Sequence, residues 1–269
     1  MTAFLHHFAF EFKTGLRNST LLFMNYLFPL GVYAIMGLVM TQVNPMFTDG
    51  LLPAMIIFVI MGGSLLGLPS PLVEDREAGI YRSYKINGVP AASIVAIPVL
   101  TTTFHALIVA TIVALTAGPV FGGVMPLHWW PVVWLSVLAA FTCSAIGALI
   151  GVVAPDNRAT VLLSQLVFLP SMLIGGLMMP LSILPESVQP FAGLLPTAHA
   201  MQAFEGLAYA RETVFAPTTS VLVLLSSGLI AFGLAIYLFN WDSRNQTRRG
   251  HPLMGLLVMV PYVIGILVK

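Results

Sequence analysis

The chain has 269 residues, of which 58% are hydrophobic and only 8% charged, with a formal net charge of +1. Soluble domains carry about 25% charged residues, so this much apolar surface requires lipid as its solvent. A single cysteine excludes an internal disulfide and a zinc site built on cysteine pairs, and no basic stripe interleaved with aromatics is present to hold nucleic acid.

Residues 4–17, FLHHFAFEFKTGLR, predict an amphipathic helix. At about 100° per residue, Phe4, Leu5, Phe8, Phe12 and Leu16 share one face, and His6, Lys13, Thr14 and Arg17 share the other, with Phe10 out of register. Such a helix lies in the membrane interface, apolar face down. His6 and His7 diverge by roughly 100° on a helix and read as interfacial polar residues, not as a metal pair.

Six apolar runs follow, at 20–41, 51–73, 90–117, 131–153, 160–181 and 217–240. Each has about 20 or more mainly apolar residues, enough to cross a hydrocarbon core of roughly 30 Å as a helix. The stretch before the first run is amphipathic and no cleavable signal is expected, so that run stays as an anchor. Pro90, Pro131 and Pro217 open the third, fourth and sixth runs, where a missing amide is no loss. Pro29, Pro98 and Pro170 fall inside runs and predict local bends. Gly147 and Gly151 form a small-xxx-small pair that lets another helix approach closely, and Cys143 beside them reads as a packing residue. His128, Trp129 and Trp130 suit an aromatic belt at the outer interface. Asp156 or Asn157 can cap the fifth helix, with Arg158 orienting it.

Nine of the 11 Lys and Arg lie in the N-terminal segment (Lys13, Arg17), the loop after the second run (Arg76, Arg82, Lys85), the loop after the fourth (Arg158) and the stretch after the sixth (Arg244, Arg248, Arg249). Only Arg211 and Lys269 fall elsewhere. The positive-inside rule makes those nine cytoplasmic and puts the N-terminus inside. Asn18-Ser19-Thr20 and Asn245-Gln246-Thr247 match the glycosylation acceptor pattern by chance, since both fall on that side.

Chemistry is sparse. The three lysines, Lys13, Lys85 and Lys269, all lie outside any phosphate-binding G-x-x-x-x-G-K-[ST] loop, and G-x-S-x-G, H-E-x-x-H and Cys/His clusters are missing. The runs hold no Asp, Glu, Lys or Arg except at their ends, as expected when each buried charge costs about 2.5–3.5 kcal/mol. A charge-free interior argues against ion-coupled transport and for a path that takes a bulky or amphipathic cargo. His105 is the one titratable side chain well inside a run, and reads as a core polar contact or a cavity-facing group.

Two segments are not explained by simple spanning. Val73–Pro90, VEDREAGIYRSYKINGVP, is the most charged stretch of the chain, and Ile80, Tyr81, Tyr84 and Ile86 interleave its charges. It reads either as a solvated loop or as a short helix that docks a protein partner through aromatic anchors and a charged rim. The stretch 175–216 is too apolar for a wet loop but is cut by Pro180, Pro185, Pro190 and Pro196. Two short helices, about 186–194 and 197–209, are expected there, as a gate or cap on the outer side.

Together these segments resemble the ABC-2 type membrane subunits of ATP-binding-cassette exporters. Asp75-Arg76-Glu77-Ala78-Gly79 followed by Gly88-Val89-Pro90 is similar to that family's acidic-basic-acidic-x-Gly segment after the second span. Gly176, Pro180, Leu184-Pro185 and Leu195-Pro196 are similar to its G-x-x-x-P, L-P, P pattern after the fifth. The resemblance covers about residues 1–240. It implies an all-α polytopic permease that pairs with itself or a sister permease and with two copies of a cytoplasmic ATPase subunit. No cofactor is then expected on this chain, and ATP-Mg belongs to the ATPase partner. It assigns ATPase coupling to Glu74, Asp75, Arg76, Glu77, Gly79 and Arg82. The cargo path falls to Ser64, Ser164, Gln165 and Ser171, with His105 added as the polar group inside the third run, and Pro180, Pro185 and Pro196 form the outer gate.

The chain departs from that pattern at its end. After the basic segment, residues 252–268 are apolar again, but a helix over 253–268 rises only roughly 24 Å and Pro261 interrupts it. A short seventh span and an interfacial or re-entrant segment both fit. The expected organisation is an interfacial helix at 1–18, a six-helix domain at 19–240 with a coupling segment at 74–90 and outer broken helices at 182–216, and a basic then apolar segment at 241–269. The function expected is ATP-driven export at a cell inner membrane by a chain that is not itself an enzyme. The rival readings are an ATP-independent channel or assembly scaffold and, more remotely, a membrane-embedded enzyme.

Overall fold

The computed structural model describes residues 2–44, 47–242 and 250–268, with side chains from residue 8 onward. The basic tail residues Arg244, Arg248 and Arg249, the Asn245–Thr247 match, Lys269 and the side chains of Phe4, Leu5, His6 and His7 lie outside the described residues. Regular structure among the described residues is entirely helical.

Helix α1 (Thr2–Arg17) ends at Asn18, which is extended and caps α2 (Ser19–Val43) by accepting from the amides of Thr20 and Leu21 at 3.0 and 3.2 Å. Two stretches of α2, Phe23–Leu27 and Met36–Met40, are wound as π turns. Helix α1 packs against the bundle. Phe8 meets Phe104 edge-on at 6.1 Å and Phe12 stacks on His105 at 4.4 Å, so part of its apolar face is spent on the third span, while Phe10 remains exposed.

Helix α3 (Phe47–Glu77) is 31 residues long, about 46 Å, and outruns a hydrocarbon core of roughly 30 Å. Its last turn is Glu74–Glu77, so the charged segment starts within the helix and not in a loop. Gly79, at φ +75°, turns the chain by adopting a conformation that only glycine takes freely, and α4 (Ile80–Ile86) follows at once. This helix–turn–helix is here called the elbow, and the opposite end of the bundle the far end.

Helix α5 (Ala91–Phe121) takes Pro90 as its N-cap and runs through Pro98, while α6 (Trp129–Val153) starts two residues before Pro131. Helices α3 and α6 form the centre of the bundle. In its most apolar 18-residue window α3 is 94% buried and α6 78% buried, against 22% for α2 and for α7 (Asn157–Ile174). Close approach makes this possible: a Cβ on Gly151 would lie 2.9 Å from the carbonyl of Pro69, and one on Gly147 would collide with that of Ser64. Across the same seam the Ser64 and Ser144 hydroxyls meet at 3.0 Å.

Helix α7 is capped by Asp156, which accepts from the Ala159 amide at 2.8 Å, and it stops at Ile174, well before residue 181. A 3₁₀ turn (Leu181–Ile183), one turn of helix α8 (Gln189–Ala192) and α9 (Pro196–Tyr209) complete the far end. Helix α9 appears where expected, whereas α8 is much shorter than 186–194. Helix α10 (Pro217–Leu238) then returns to the elbow end.

The C-terminal apolar segment, α11 (Pro252–Leu267), runs antiparallel to α10 from Leu238 to Val223. Gly250, just before it, sits against Leu238; Gly265 sits against Val223; and Ile266 reaches Gly193 at the far end. Its first eight residues are 3₁₀. At a rise of about 2.0 Å each, followed by eight α-helical residues at about 1.5 Å, it extends about 28 Å. The 3₁₀ winding makes the segment about 4 Å longer than an α-helix of the same residues.

Candidate functional site

The elbow is fastened to three span ends. Arg76 is only 5% exposed, because the helical spacing Pro69, Leu72, Val73, Arg76 puts it on the buried side of α3. Its guanidinium donates to the carbonyl of Val152 at 2.9 Å and to that of Ala154, so it caps the last turn of α6. The Asn157 amide donates to Glu74 at 3.2 Å and ties the elbow to the start of α7. Tyr81 is buried and meets Phe239 at 5.2 Å, just beyond α10, while Arg82 pairs with Asp242 at 3.1 Å on the surface. Burial and the nearby Asp75 and Glu11 carboxylates push the Tyr81 phenol far above its usual range.

The sequence offers Tyr81 and Tyr84 as anchors for a partner, but Tyr81 points inward and holds the elbow together. What the elbow presents is its tip: Ile86 is 86% exposed, and Glu77, Arg82 and Lys85 are exposed as well. Of the six coupling residues, Glu74, Glu77 and Arg82 are therefore exposed, Asp75 is half-buried, Arg76 is a buried strut, and Gly79 is the turn.

Beside the root of the elbow a groove of about 350 Å³ opens between α2, α3 and α7. Asn18, Thr20, Ser70, Glu74, Ser164 and Gln165 give it polar points, and Leu21, Met24, Leu66 and Val161 give it apolar wall. Such mixed lining suits an amphipathic guest. Two of the five cargo-path residues, Ser164 and Gln165, line this groove. Ser64 is spent on Ser144 in the seam of α3 and α6. Ser171 lies toward the far end, where its carbonyl accepts from Thr197 at 3.2 Å. His105 lies apart from all of them, between α1, α2 and α5, with Nδ1 2.6 Å from the Tyr26 hydroxyl.

The far end is a docked cap. Helix α9 packs on α6 and α10. His199, wholly buried, donates from Nε2 to the Gly193 carbonyl at 2.9 Å, which leaves Nδ1 to accept from the Ser220 hydroxyl at 3.2 Å. Gln202 accepts from the amides of Val214 and Phe215 and donates to Glu205 at 2.9 Å. Of the three prolines read as a gate, Pro180 and Pro185 flank the 3₁₀ turn and are exposed, and Pro196 is buried in the first turn of α9. His199 and Gln202 do not stand out in the sequence by charge. Their signal is a spacing of three on a helix whose neighbours Ala198, Ala200 and Ala203 are small enough to be buried beside them.

A model of the ABC-2 type transporter family matches residues 2–209 of the chain. No curated protein matches it.

Proposed function

Because this chain belongs to the ABC-2 type transporter family, we propose that it is the permease of an ATP-driven exporter that moves a bulky or amphipathic cargo. The observation that carries this reading is the build of the elbow: an exposed tip at Ile86 on a root bonded to the ends of α6, α7 and the exit of α10. A push on the tip is delivered to three spans at once, which is what a separate motor needs in order to bias two packings of the bundle.

In this reading the elbow end faces the cytosol of a cell with an inner membrane, as the placement of Lys13, Arg17, Arg76, Arg82, Lys85 and Arg158 supports. Two copies of an ATPase subunit bind ATP-Mg and seat against Glu77, Lys85 and Ile86. A second permease, identical or a sister, completes the path on the lightly buried α2 and α7 side, and cargo enters by the groove lined by Ser164 and Gln165.

The test is reconstitution with the cognate ATPase in lipid. Substrate-stimulated ATP hydrolysis is expected to fall to the basal rate in Glu77→Lys, with the melting temperature of the permease unchanged. Full stimulation in a folded Glu77→Lys complex would remove the elbow from coupling.

A further inference from the structure

The groove between α2, α3 and α7 has a charge pattern that points to one class of cargo, an inference that rests on the reading of this groove as the cargo's entry. Glu74 is the one charged side chain in its lining, and no lysine or arginine lines it. The Glu74 carboxylate is exposed, and Oε1 accepts from the Asn157 amide at 3.2 Å. That donor is neutral, so the negative charge is not cancelled. Arg76, further along the same turn, reaches away to the carbonyls of α6. Arg17, before Asn18, and Arg158, after Asn157, are exposed and lie outside the lining. Among the described residues neither forms an ion pair with Glu74.

An anion finds no comparable seat. Helix N-termini hold anions through their free first-turn amides. At the two helix starts beside the groove the chain uses those amides itself. Asn18 accepts from Thr20 and Leu21 at the start of α2, and Asp156 accepts from Ala159 at the start of α7. What the lining still offers beyond the acid is neutral: the hydroxyls of Ser70 and Ser164 and the amide of Gln165.

The groove also has a direction. Glu74 stands at its elbow end. Leu66, in the π turn Gly62–Gly67 of α3, lies about two turns further in, and Gln165 lies about two turns into α7. The lining therefore runs roughly 12 Å inward from the acid. Leu21, Met24 and Val161 make that stretch largely apolar. Its flanks α2 and α7 are the least buried of the six spans, where a molecule dissolved in the bilayer meets the bundle.

We propose that the groove selects cationic amphipathic molecules. A protonated amine or quaternary ammonium seats against Glu74, and an apolar body roughly 12 Å long lies along Leu21, Met24, Leu66 and Val161. An anionic molecule with the same body is rejected by the same carboxylate.

The experiment uses the purified full chain, without an ATPase, in nanodiscs of zwitterionic lipid. Three dansyl-labelled undecyl probes share one body and end in trimethylammonium, hydroxyl or carboxylate. Binding is read from dansyl fluorescence after subtraction of empty nanodiscs. The ammonium probe is expected to bind about fivefold more tightly than the hydroxyl probe, as a partly exposed ion pair allows, and the carboxylate probe more weakly than either. Glu74→Gln keeps an acceptor for Asn157. It should bring the ammonium probe down to the affinity of the hydroxyl probe and leave the hydroxyl probe unmoved. Val161→Trp, at an exposed position on the rim, should weaken every probe by filling the groove. Equal affinity for the ammonium and hydroxyl probes would overturn the proposal, as would tighter binding of the carboxylate. So would an ammonium preference that survives Glu74→Gln, a Glu74→Gln chain that weakens all probes alike, or binding indifferent to Val161→Trp. These outcomes leave the exporter reading standing, because no ATPase is present. That reading fails separately, if a probe bound here never stimulates hydrolysis in the reconstituted complex.

Discussion

At the far end of the bundle Gln202 and His199 hold α9 through neutral, buried hydrogen bonds to Val214, Phe215, Gly193 and Ser220. At the elbow end Arg76 carries a full charge inward to the carbonyls of α6, Tyr81 packs on Phe239, and the polar ties of Glu74 with Asn157 and Arg82 with Asp242 are on the surface. Neutral bonds in a dry setting are strong and unresponsive to salt. A charged strut with wet outer ties fixes a pivot and leaves the parts around it adjustable. On the proposed reading, the far end stays closed on α6 and α10 while the elbow transmits.

That contrast breaks most visibly at Arg76. Arg76→Ala leaves the last carbonyls of α6 unpaired in a buried site and is expected to cost about 3 kcal/mol in unfolding of the purified chain in mixed micelles. Arg76→Lys keeps the charge, loses the fork that reaches two carbonyls together, and should recover about half. A loss under about 1 kcal/mol for the alanine variant would mean that water replaces the guanidinium and that the elbow has no fixed pivot.

The far end answers with a smaller effect. Gln202→Leu orphans the amides of Val214 and Phe215 and removes the donor to Glu205, and is expected to cost about 2 kcal/mol in the same measurement. The loss should be the same at low and high salt, whereas the surface ties of the elbow should weaken as salt rises. Salt sensitivity of the Gln202 effect would erase the distinction between the ends.

The parts of this architecture that hydropathy and spacing govern were legible beforehand. Six runs became six spans, Gly147 and Gly151 became the close seam with α3, and Asp156 became the cap of α7, because each depends only on local residues. Arg76 was read as a loop charge because the second run ends at Val73. Carrying the helical period four residues further places it beside Leu72 and Val73 on the buried face. The grouping of polar residues was harder. Ser64, Ser164, Ser171 and His105 all look like polar points in apolar runs, and only the packing sends Ser64 to Ser144, Ser164 to the groove and His105 to α1. The π turns around Asn25 and Gly67 and the 3₁₀ start of α11 follow from tertiary packing and leave no residue pattern of their own. Residues 253–268 at an α-helical rise reach only roughly 24 Å, which leaves a short seventh span and an interfacial segment both open, whereas the 3₁₀ start of α11 lets it follow α10 from Leu238 to Val223.

The finest test separates stability from transmission at one residue. Arg82 and Asp242 form an exposed pair at 3.1 Å, with Arg82 46% exposed. Pairs of that kind contribute about 0–1 kcal/mol, since water screens the attraction and two long side chains lose freedom in making it. Arg82→Gln should therefore leave unfolding of the purified permease within about 0.5 kcal/mol of the parent chain. Yet Arg82 lies on α4, between the buried Tyr81 and the exposed tip at Ile86, and Asp242 lies just past the end of α10. If the elbow transmits force, cutting this tie uncouples tip from span without loosening the fold, and ATP hydrolysis by the reconstituted complex should lose part of its stimulation by substrate. A stability loss as large as that of Gln202→Leu, with stimulation intact, would make the pair a brace and leave transmission to the buried root alone.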